Sequence, residues 1–294
     1  MMRFTAYDTY PSEKAGQSLH WKIAELATAS LIEEVHTTPK PGLVDATNTG
    51  SHRDMNLYTF EQSAKALKPF WTMFANIGRR TAGESPETTF RLLRPFGKKA
   101  EECMYKATEG VNTHKGAIFL LGTVCGAIGR TQSHSANSIM RECAQMTERA
   151  LLTELSVLKE RKTAGQTAGE RLLKKYGLSG ARGELAAGLP GVKLAIEIFT
   201  EAVTYGISRN DAGAITLLYL IARGTDTNMI ARGGKKTALE AVQKVKELIR
   251  AVHFPDMQAI RKLDDSFIAA NLSPGGCADL LAVTYFLYDW QNNY

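Results

Sequence analysis

Five short segments of the sequence place glycine or proline beside charged side chains, between stretches of helical periodicity. The first covers residues 39–55. Its prolines restrict the backbone around Lys40, so a flexible cation suited to phosphate projects from a stiff support. Asp45 and Asp54 follow, and carboxylates suit the binding of a metal ion or the transfer of a proton. The alternative is an ordinary connection in which Asp54 caps the helix that begins near Leu57.

The second segment, residues 110–116, precedes an apolar helix. Backbone N–H groups at a helix N-terminus, the charge of Lys115 and a glycine that permits close approach all favour an anion. His114, beside Lys115, is a candidate for proton transfer. In the alternative interpretation, Asn112 or Thr113 caps the helix and His114 is a structural histidine.

The third segment, residues 180–184, contains an arginine and a glutamate between glycines. Arg182 can bind two phosphate oxygens at once through its planar guanidinium. Glu184 is a candidate general base or metal ligand. The alternative is a surface ion pair between Arg182 and Glu184.

The fourth segment, residues 226–236, combines oxygen ligands with basic side chains. Asp226 and Asn228 are of the type that binds Mg²⁺ while the ion keeps several waters. Arg232 adds a cation suited to phosphate. The segment therefore predicts a site for a metal bound together with phosphate.

The fifth segment, residues 273–281, begins the last helix. Gly275 and Gly276 leave the backbone open to a phosphate at the helix N-terminus. Asp279 lies in the first helical turn, where a carboxylate is also an ordinary partner of the helix dipole.

Helical periodicity dominates the rest of the chain, and no run of strict alternation predicts a strand. Residues 116–130 are apolar nearly all round, which is typical of a central helix in a bundle. Ser85, Ser208 and Thr167 begin patterns typical of helix N-termini. The sequence has no fixed-period repeat and no linker rich in Pro, Gly or Ser. We therefore expect an all-α fold: one compact domain, residues 1–294, of roughly ten helices.

The composition restricts the partners and the compartment. The 294 residues carry a net charge of +6, which favours anionic ligands. The basic residues are scattered as pairs, which argues against nucleic acid as a partner. The longest uncharged stretch, residues 116–129, is shorter than the ~20 residues that a membrane span needs. The widely spaced cysteines and the absence of an apolar signal segment in residues 1–17 predict a cytoplasmic protein.

Taken in order, the segments resemble the triphosphoribosyl-dephospho-CoA synthase family. Each motif alone is weak, but the ordered set is specific. Leu189 departs from the family pattern, which favours an aromatic residue before Pro190. The matching motifs are PKPGLVD at 39–45, GxHxDM at 50–55, NTHKG at 112–116, GARGE at 180–184, DTN at 226–228, RGG at 232–234 and SPGGxADLL at 273–281.

The resemblance implies an all-helical enzyme that moves the 5-triphosphoribosyl group of ATP onto the ribose 2'-hydroxyl of 3'-dephospho-CoA and releases adenine. Mg²⁺ would accompany ATP as the cofactor. The product would be the precursor of the citrate lyase prosthetic group and would pass to a carrier-protein transferase. A sister branch of the family serves malonate decarboxylase.

Within that reaction the candidate residues fall into three sets. The residues expected to bind phosphate are Lys40, Lys115, Arg182, Arg232, Gly275 and Gly276. The residues expected to bind Mg²⁺ are Asp226, Asn228 and Asp45. For proton transfer we expect Glu184 as the general base and His114 or Asp54 as the acid.

Two other classes of protein fit the same segments less fully. One is a helical, Mg²⁺-dependent hydrolase of N-glycosides similar to ADP-ribose, in which water replaces the 2'-hydroxyl. The other is a non-catalytic, basic helical binding protein, whose binding would depend steeply on salt.

Overall fold

A computed structural model describes residues 19–160 and 168–293 of the chain. In these two ranges the regular structure consists of thirteen helices, and no strand occurs. None of the helices described is long and apolar enough to cross a bilayer. In chain order the helices are α1 (Leu19–His36), α2 (Leu57–Arg80), α3 (Pro86–Ala107), α4 (Lys115–Thr131), α5 (Ala136–Glu160), α6 (Ala168–Tyr176), α7 (Gly180–Ala186), α8 (Pro190–Thr204), α9 (Arg209–Ala222), α10 (Thr227–Gly233), α11 (Lys235–Ala251), α12 (Met257–Ala269) and α13 (Gly275–Asn293).

The prediction of an all-α fold is confirmed, and the helices outnumber the roughly ten that we expect from the sequence. Helices α7, α8 and α10 lie in stretches to which the helical periodicity of the sequence assigns no helix. Helices α7 and α10 have seven residues each, too few to show a periodic apolar face. Helix α8 has proline at its first position, a start signal that the sequence does show. Four candidate site residues therefore lie on helices instead of loops, namely Arg182 and Glu184 on α7 and Asn228 and Arg232 on α10.

Side-chain caps begin several helices. Ser85 and Ser208 cap α3 and α9, as the sequence predicts. Asn56 caps α2, and its Oδ1 accepts the backbone N–H three residues further on at 3.0 Å. The alternative in which Asp54 caps this helix is therefore wrong. The helix start predicted at Thr167 lies outside the described residues.

Helix α4 lies at the centre of the fold, in contact with α2, α3, α5 and α13. It approaches α2 so closely that a Cβ atom added to Gly78 would overlap the backbone carbonyl of Gly126. One hydrophobic cluster contains residues from α1 through α13. The bundle therefore holds the N-terminal end of α4, with His114 and Lys115, in a fixed position.

The connections before α2 and α13 meet beside α10 and α12. The N–H of Gly42 donates to Asp264 on α12 at 2.8 Å, and Ser51 Oγ donates to the Leu272 carbonyl at 2.6 Å. Arg232 on α10 donates to the Ser51 carbonyl. Gly42 has a φ of +71°, and a Cβ atom there would overlap the Leu272 carbonyl, so this contact requires glycine. The fold thus brings distant chemical segments to one place.

Candidate active site

Three adjoining cavities open where the chemical segments meet. The first cavity, of about 280 Å³, is lined by Lys40, Lys115 and Arg232 among others. The second cavity, of about 300 Å³, is lined by Glu184. The third cavity, of about 200 Å³, shares Lys115 with the first and adds Arg182. Three of the predicted phosphate-binding cations therefore face one cavity, and the fourth lies in the cavity next to it.

Gly275 and Gly276 lie where the first two cavities adjoin. Gly275 lines the first cavity, and Gly276 lines the second. A Cβ atom on Gly275 would lie 2.9 Å from Nδ2 of Asn228, and one on Gly276 would lie 3.0 Å from Oδ2 of Asp226. Glycine therefore permits the close approach of α10 to α13. Contact between these two glycines and a phosphate stays a prediction.

Lys40 forms a buried ion pair with Glu34 of α1. Its Nζ also donates to the backbone carbonyl of Glu34 at 2.6 Å, and only 1% of Lys40 is exposed. The carboxylate offsets most of the lysine charge before any substrate binds. Glu34 was not a candidate from the sequence, although its place on the apolar face of α1, with Leu31, is a signal of burial.

The other predicted phosphate-binding cations are accessible. Nζ of Lys115 lies 2.9 Å from the Glu101 carboxylate, and Nε of Arg182 lies 3.7 Å from that of Glu154. Arg232 connects the segments before α2 and α13 through its guanidinium. Surface ion pairs contribute about 1 kcal/mol or less, so a phosphate can replace the carboxylate partners of Lys115 and Arg182 at little cost.

His114 lies directly before α4 and lines the first cavity. Its Nδ1 lies 2.7 Å from Oγ of Ser63, and 3% of the residue is exposed. Burial, together with the charge of Lys40, lowers the pKa of His114 to about 3. The imidazole is therefore neutral near pH 7. A neutral ring is a poor proton donor, which does not favour the predicted role of His114 as the acid.

Asp54, the second candidate acid, lines none of these three cavities. Its side chain is 65% exposed and lies 3.8 Å from Nδ1 of His52. His52 does line the first cavity, and its Nε2 lies 2.8 Å from Oγ of Ser273. Burial and the charge of Arg232 lower the pKa of His52, and Asp54 opposes them. Asp54 is thus linked to the first cavity through His52.

Asp45, a predicted metal ligand, organises its own segment. Its Oδ1 accepts hydrogen bonds from the N–H and hydroxyl of Thr47 and from the N–H of Asn48. Its Oδ2 accepts from the Thr38 hydroxyl and the Lys40 N–H. Burial raises the pKa of Asp45, but these hydrogen bonds outweigh burial and hold the pKa below its ordinary value. With five donors on one carboxylate, the geometry favours a structural role over metal binding.

Asp226 and Asn228, the other predicted metal ligands, line different cavities. Asp226 accepts the N–H of Met229 in α10 and the N–H of Cys277 in α13, each at 2.8 Å. The pKa of Asp226 lies above its ordinary value, because burial raises it more than these hydrogen bonds lower it. The described ranges hold no cluster of three His, Cys, Asp or Glu side chains suited to a metal. Mg²⁺ commonly binds one or two carboxylates together with substrate phosphates. Of the predicted metal ligands, Asn228 lines the same cavity as Lys115 and Arg232, and it offers an amide oxygen instead of a carboxylate.

Glu184 joins three helices around the second cavity. It forms an ion pair with Arg223, which directly follows α9, and its Oε2 accepts the N–H of Gly191 in α8 at 2.9 Å. A Cβ atom on Gly191 would overlap the Arg223 guanidinium, so a larger residue there would force the pair to shift. The surface pair between Arg182 and Glu184 considered from the sequence is therefore wrong. The sequence gives no sign that Arg223 is the partner.

Asp279 of α13 lines both the first and the second cavity. Its carboxylate packs on Gly116 of α4, where an added Cβ atom would lie 2.9 Å from Cγ and would overlap Oδ2. Burial and the charges of Glu34 and Asp226 raise the pKa of Asp279 well above its ordinary value, against one hydrogen bond from the Ala117 N–H. A carboxyl group with a raised pKa inside a cleft is suited to proton transfer.

Comparison with known proteins identifies the class to which this site belongs. Residues 20–294 match the family model described as CitG, ATP:dephospho-CoA triphosphoribosyl transferase. The chain therefore belongs to this family, as the ordered motifs predict. No solved structure matches the chain.

Curated relatives agree with the family over most of the chain. A probable 2-(5''-triphosphoribosyl)-3'-dephosphocoenzyme-A synthase of Vibrio cholerae serotype O1 is 41% identical over 281 residues, 92% of this chain and 89% of the relative. The 2-(5''-triphosphoribosyl)-3'-dephosphocoenzyme-A synthase of Haemophilus ducreyi is 42% identical over 289 residues, 90% of this chain and 87% of the relative. Protein CitXG of Haemophilus influenzae is 42% identical over 286 residues, 92% of this chain but 60% of that longer relative.

The family defines a transferase that acts on ATP and dephospho-CoA. This class replaces the two alternatives that the sequence left open, a hydrolase and a non-catalytic binding protein.

Proposed function

We propose that the first cavity holds the triphosphate of ATP, that the second cavity holds the acceptor end of dephospho-CoA, and that the transfer takes place between them at Asp279. The observation that carries this proposal is that Asp279 lines both cavities. The cationic lining of the first cavity, with Lys115 and Arg232, suits a polyphosphate. The second cavity has fewer cations and more apolar lining, which suits a nucleoside.

Asp279 would serve as the proton acceptor for the incoming hydroxyl. The bond between N9 of adenine and C1' of the ATP ribose breaks, and its electron pair leaves with adenine. The 2'-oxygen of dephospho-CoA forms the new bond to C1', and its proton passes to Asp279. The leaving adenine takes up one proton from solvent, and Asp279 returns the hydroxyl proton to solvent, so the overall reaction neither consumes nor releases a proton. A carboxylate beside C1' would also stabilise the oxocarbenium-like charge that builds there, as in glycosidases.

The first cavity would bind the triphosphate without promoting attack at phosphorus. Lys115 and Arg232 are accessible to the phosphate oxygens, and Lys40 is already paired with Glu34. Asn228 would hold Mg²⁺ together with the phosphate oxygens. When bound, Mg²⁺ neutralises phosphate charge and fixes the position of the triphosphate.

Glu184, the base expected from the sequence, would have a positioning role. Both of its oxygens are engaged, one by Arg223 and one by the N–H of Gly191. The ion pair would shape the wall of the second cavity and leave Arg223 close to the acceptor. Asp279 accepts a hydrogen bond from the N–H of Ala117 and has a raised pKa, which makes it the better base.

The product would pass to a carrier-protein transferase that attaches the prosthetic group of citrate lyase. The support for this step is the match to the family motifs, because the enzymes of this family make the prosthetic-group precursor. We further propose that the protein works in the cytoplasm, where ATP and dephospho-CoA are available and where its unpaired cysteines would stay reduced.

The first test is to incubate the protein with ATP, Mg²⁺ and dephospho-CoA and to measure adenine release. Adenine should appear only with both substrates and a divalent metal, and mass spectrometry should show triphosphoribosyl-dephospho-CoA. CoA with its 3'-phosphate should be a poor acceptor, because that group adds bulk and charge beside the attacking hydroxyl. Release of ADP or pyrophosphate would contradict the proposal, and free ribose triphosphate would indicate a hydrolase.

The second test replaces the carboxylate at the junction. Asp279→Asn keeps the size of the side chain but removes its basicity, so kcat should fall by about 10²–10⁴-fold with little change in the KM for ATP. Asp265→Asn is the matched control, because Asp265 is exposed on α12. An Asp279→Asn protein that turns over as fast as the Asp265→Asn control would move the base role to Glu184.

A further inference from the structure

His114 is buried in the first cavity with its ring held on two sides. The ring packs edge-on against Phe60, with 5.1 Å between ring centroids and an interplanar angle of 87°. Its Nδ1 lies 2.7 Å from Oγ of Ser63 on α2. Its Nε2 is buried and has no hydrogen-bond partner among the described residues. The proposed acid–base chemistry assigns no role to this histidine.

The hydroxyl groups beside His114 determine which ring nitrogen carries the proton. The Thr113 hydroxyl donates to Oγ of Ser63 at 2.7 Å, so Oγ of Ser63 accepts on that side. The Ser63 hydroxyl has one hydrogen to donate, and Nδ1 of His114 is the acceptor within reach in the described structure. Nδ1 therefore accepts a hydrogen bond. In a neutral ring, the proton then resides on Nε2.

The ring is neutral over the whole physiological range. Burial and the nearby charge of Lys40 lower the pKa of His114 to about 3. Nε2–H is therefore a donor that keeps its proton in this pH range and has no hydrogen-bond partner among the described residues. A buried donor without a partner is costly, which points to a ligand that supplies the acceptor.

We infer that Ser63 and Thr113 are positioning residues, which hold His114 as a neutral Nε2–H donor to a phosphate oxygen of the triphosphate in the first cavity. A phosphate is favoured as the acceptor because Lys115 and Arg232 line the same cavity. This inference rests on the proposed place of the triphosphate. It assigns His114 to substrate binding and removes it from proton transfer.

Nuclear magnetic resonance of ¹⁵N-histidine tests the tautomer without substrate or turnover. The His114 signal is identified by its loss in the His114→Phe variant. We expect the Nε2–H tautomer at pH 7. In Thr113→Val, Oγ of Ser63 can turn to accept from the ring, so the Nδ1–H form should appear. Thr113→Ser should restore the wild-type tautomer, and Thr153→Val, at an exposed threonine of α5, should leave it unchanged. An imidazolium or an Nδ1–H ring in the wild type overturns the inference.

Binding of inorganic tripolyphosphate with Mg²⁺ tests the ligand. His114→Phe and Thr113→Val should weaken this binding about tenfold or more, as expected for a lost hydrogen bond to an anion. They should raise the KM for ATP more than they lower kcat. Unchanged tripolyphosphate affinity in both variants overturns the inference. The proposed function fails separately, if the wild type releases no adenine from ATP and dephospho-CoA.

Discussion

Alanine at Gly116 should reduce catalysis while leaving the fold intact. The new Cβ atom would lie 2.9 Å from Cγ of Asp279, against 3.4 Å for ordinary contact, and would overlap Oδ2 outright. The carboxylate must therefore move by about 1 Å, because α4 is fixed in the core and a short side chain is easier to displace. A misplacement of about 1 Å in a catalytic group costs about 10²-fold in rate. Alanine also favours the helix by up to about 1 kcal/mol, which offsets the cost of the shift.

The assay compares Gly116→Ala with a matched glycine substitution. Adenine release at saturating ATP and dephospho-CoA gives kcat, and thermal unfolding gives stability. Gly97→Ala on α3 is the control, because nothing lies within 4 Å of its added Cβ atom. We expect the control to keep full activity and a raised melting temperature. If Gly116→Ala keeps kcat within twofold of the control, the position of the Asp279 carboxylate does not determine the rate.

Three further substitutions separate binding from chemistry and from folding. Lys115→Ala should raise the KM for ATP more than it lowers kcat in steady-state kinetics, because Lys115 would bind the triphosphate equally well in the ground state and in the transition state. Glu184→Gln removes the charged partner of Arg223, so it should lower the free energy of unfolding by about 1–3 kcal/mol and raise the KM for dephospho-CoA. A loss in kcat alone would instead make Glu184 the base. Lys40→Met should cost about 3–5 kcal/mol in chemical denaturation by leaving Glu34 unpaired, and adding Glu34→Leu should recover part of that loss.

The all-α class and the meeting of the chemical segments could be predicted from the sequence. Glycine and proline between helical stretches mark connections, and charged residues in such connections are typical of sites at helix ends. Lys115 and Arg232 lie 117 positions apart, yet both face the first cavity. Their shared cavity is consistent with the ordered motifs, although each motif alone has an ordinary structural explanation.

The environment of each carboxylate could not be predicted from the sequence. Asp45 and Asp279 are both acidic residues in candidate segments, but Asp45 accepts five hydrogen bonds within its own connection. From the sequence, Asp279 looks like an ordinary partner of the helix dipole. In the structure, the packing of α13 against Gly116 places its carboxylate between two cavities. Burial and hydrogen-bond partners arise from tertiary contacts, and these decide whether a carboxylate is structural or reactive.

The contrast between Asp45 and Asp279 predicts opposite effects of pH on stability. Hydrogen bonds hold the pKa of Asp45 below its ordinary value of 3.8, even though burial opposes them. Its contribution to stability is therefore present above pH 3.8 and is lost as the pH falls through the lower folded pKa. Burial and the charges of Glu34 and Asp226 raise the pKa of Asp279. Its contribution is therefore present below pH 3.8 and is lost as the pH rises through the raised folded pKa.

Differential scanning calorimetry between pH 3 and pH 9, without substrate or metal, tests both effects of pH on stability. The proteins compared are the wild type, Asp45→Asn and Asp279→Asn. Asp45→Asn should be less stable than the wild type near pH 7, and the difference should narrow on acidification below about pH 4. Asp279→Asn cannot ionise, so it should gain stability over the wild type as the pH rises. Asp226 and Asp264 also have raised pKa values, so a weaker decline with rising pH should remain in that variant. If Asp279→Asn follows the wild type at every pH, burial does not penalise the Asp279 carboxylate, and the physical basis for choosing it as the base is lost.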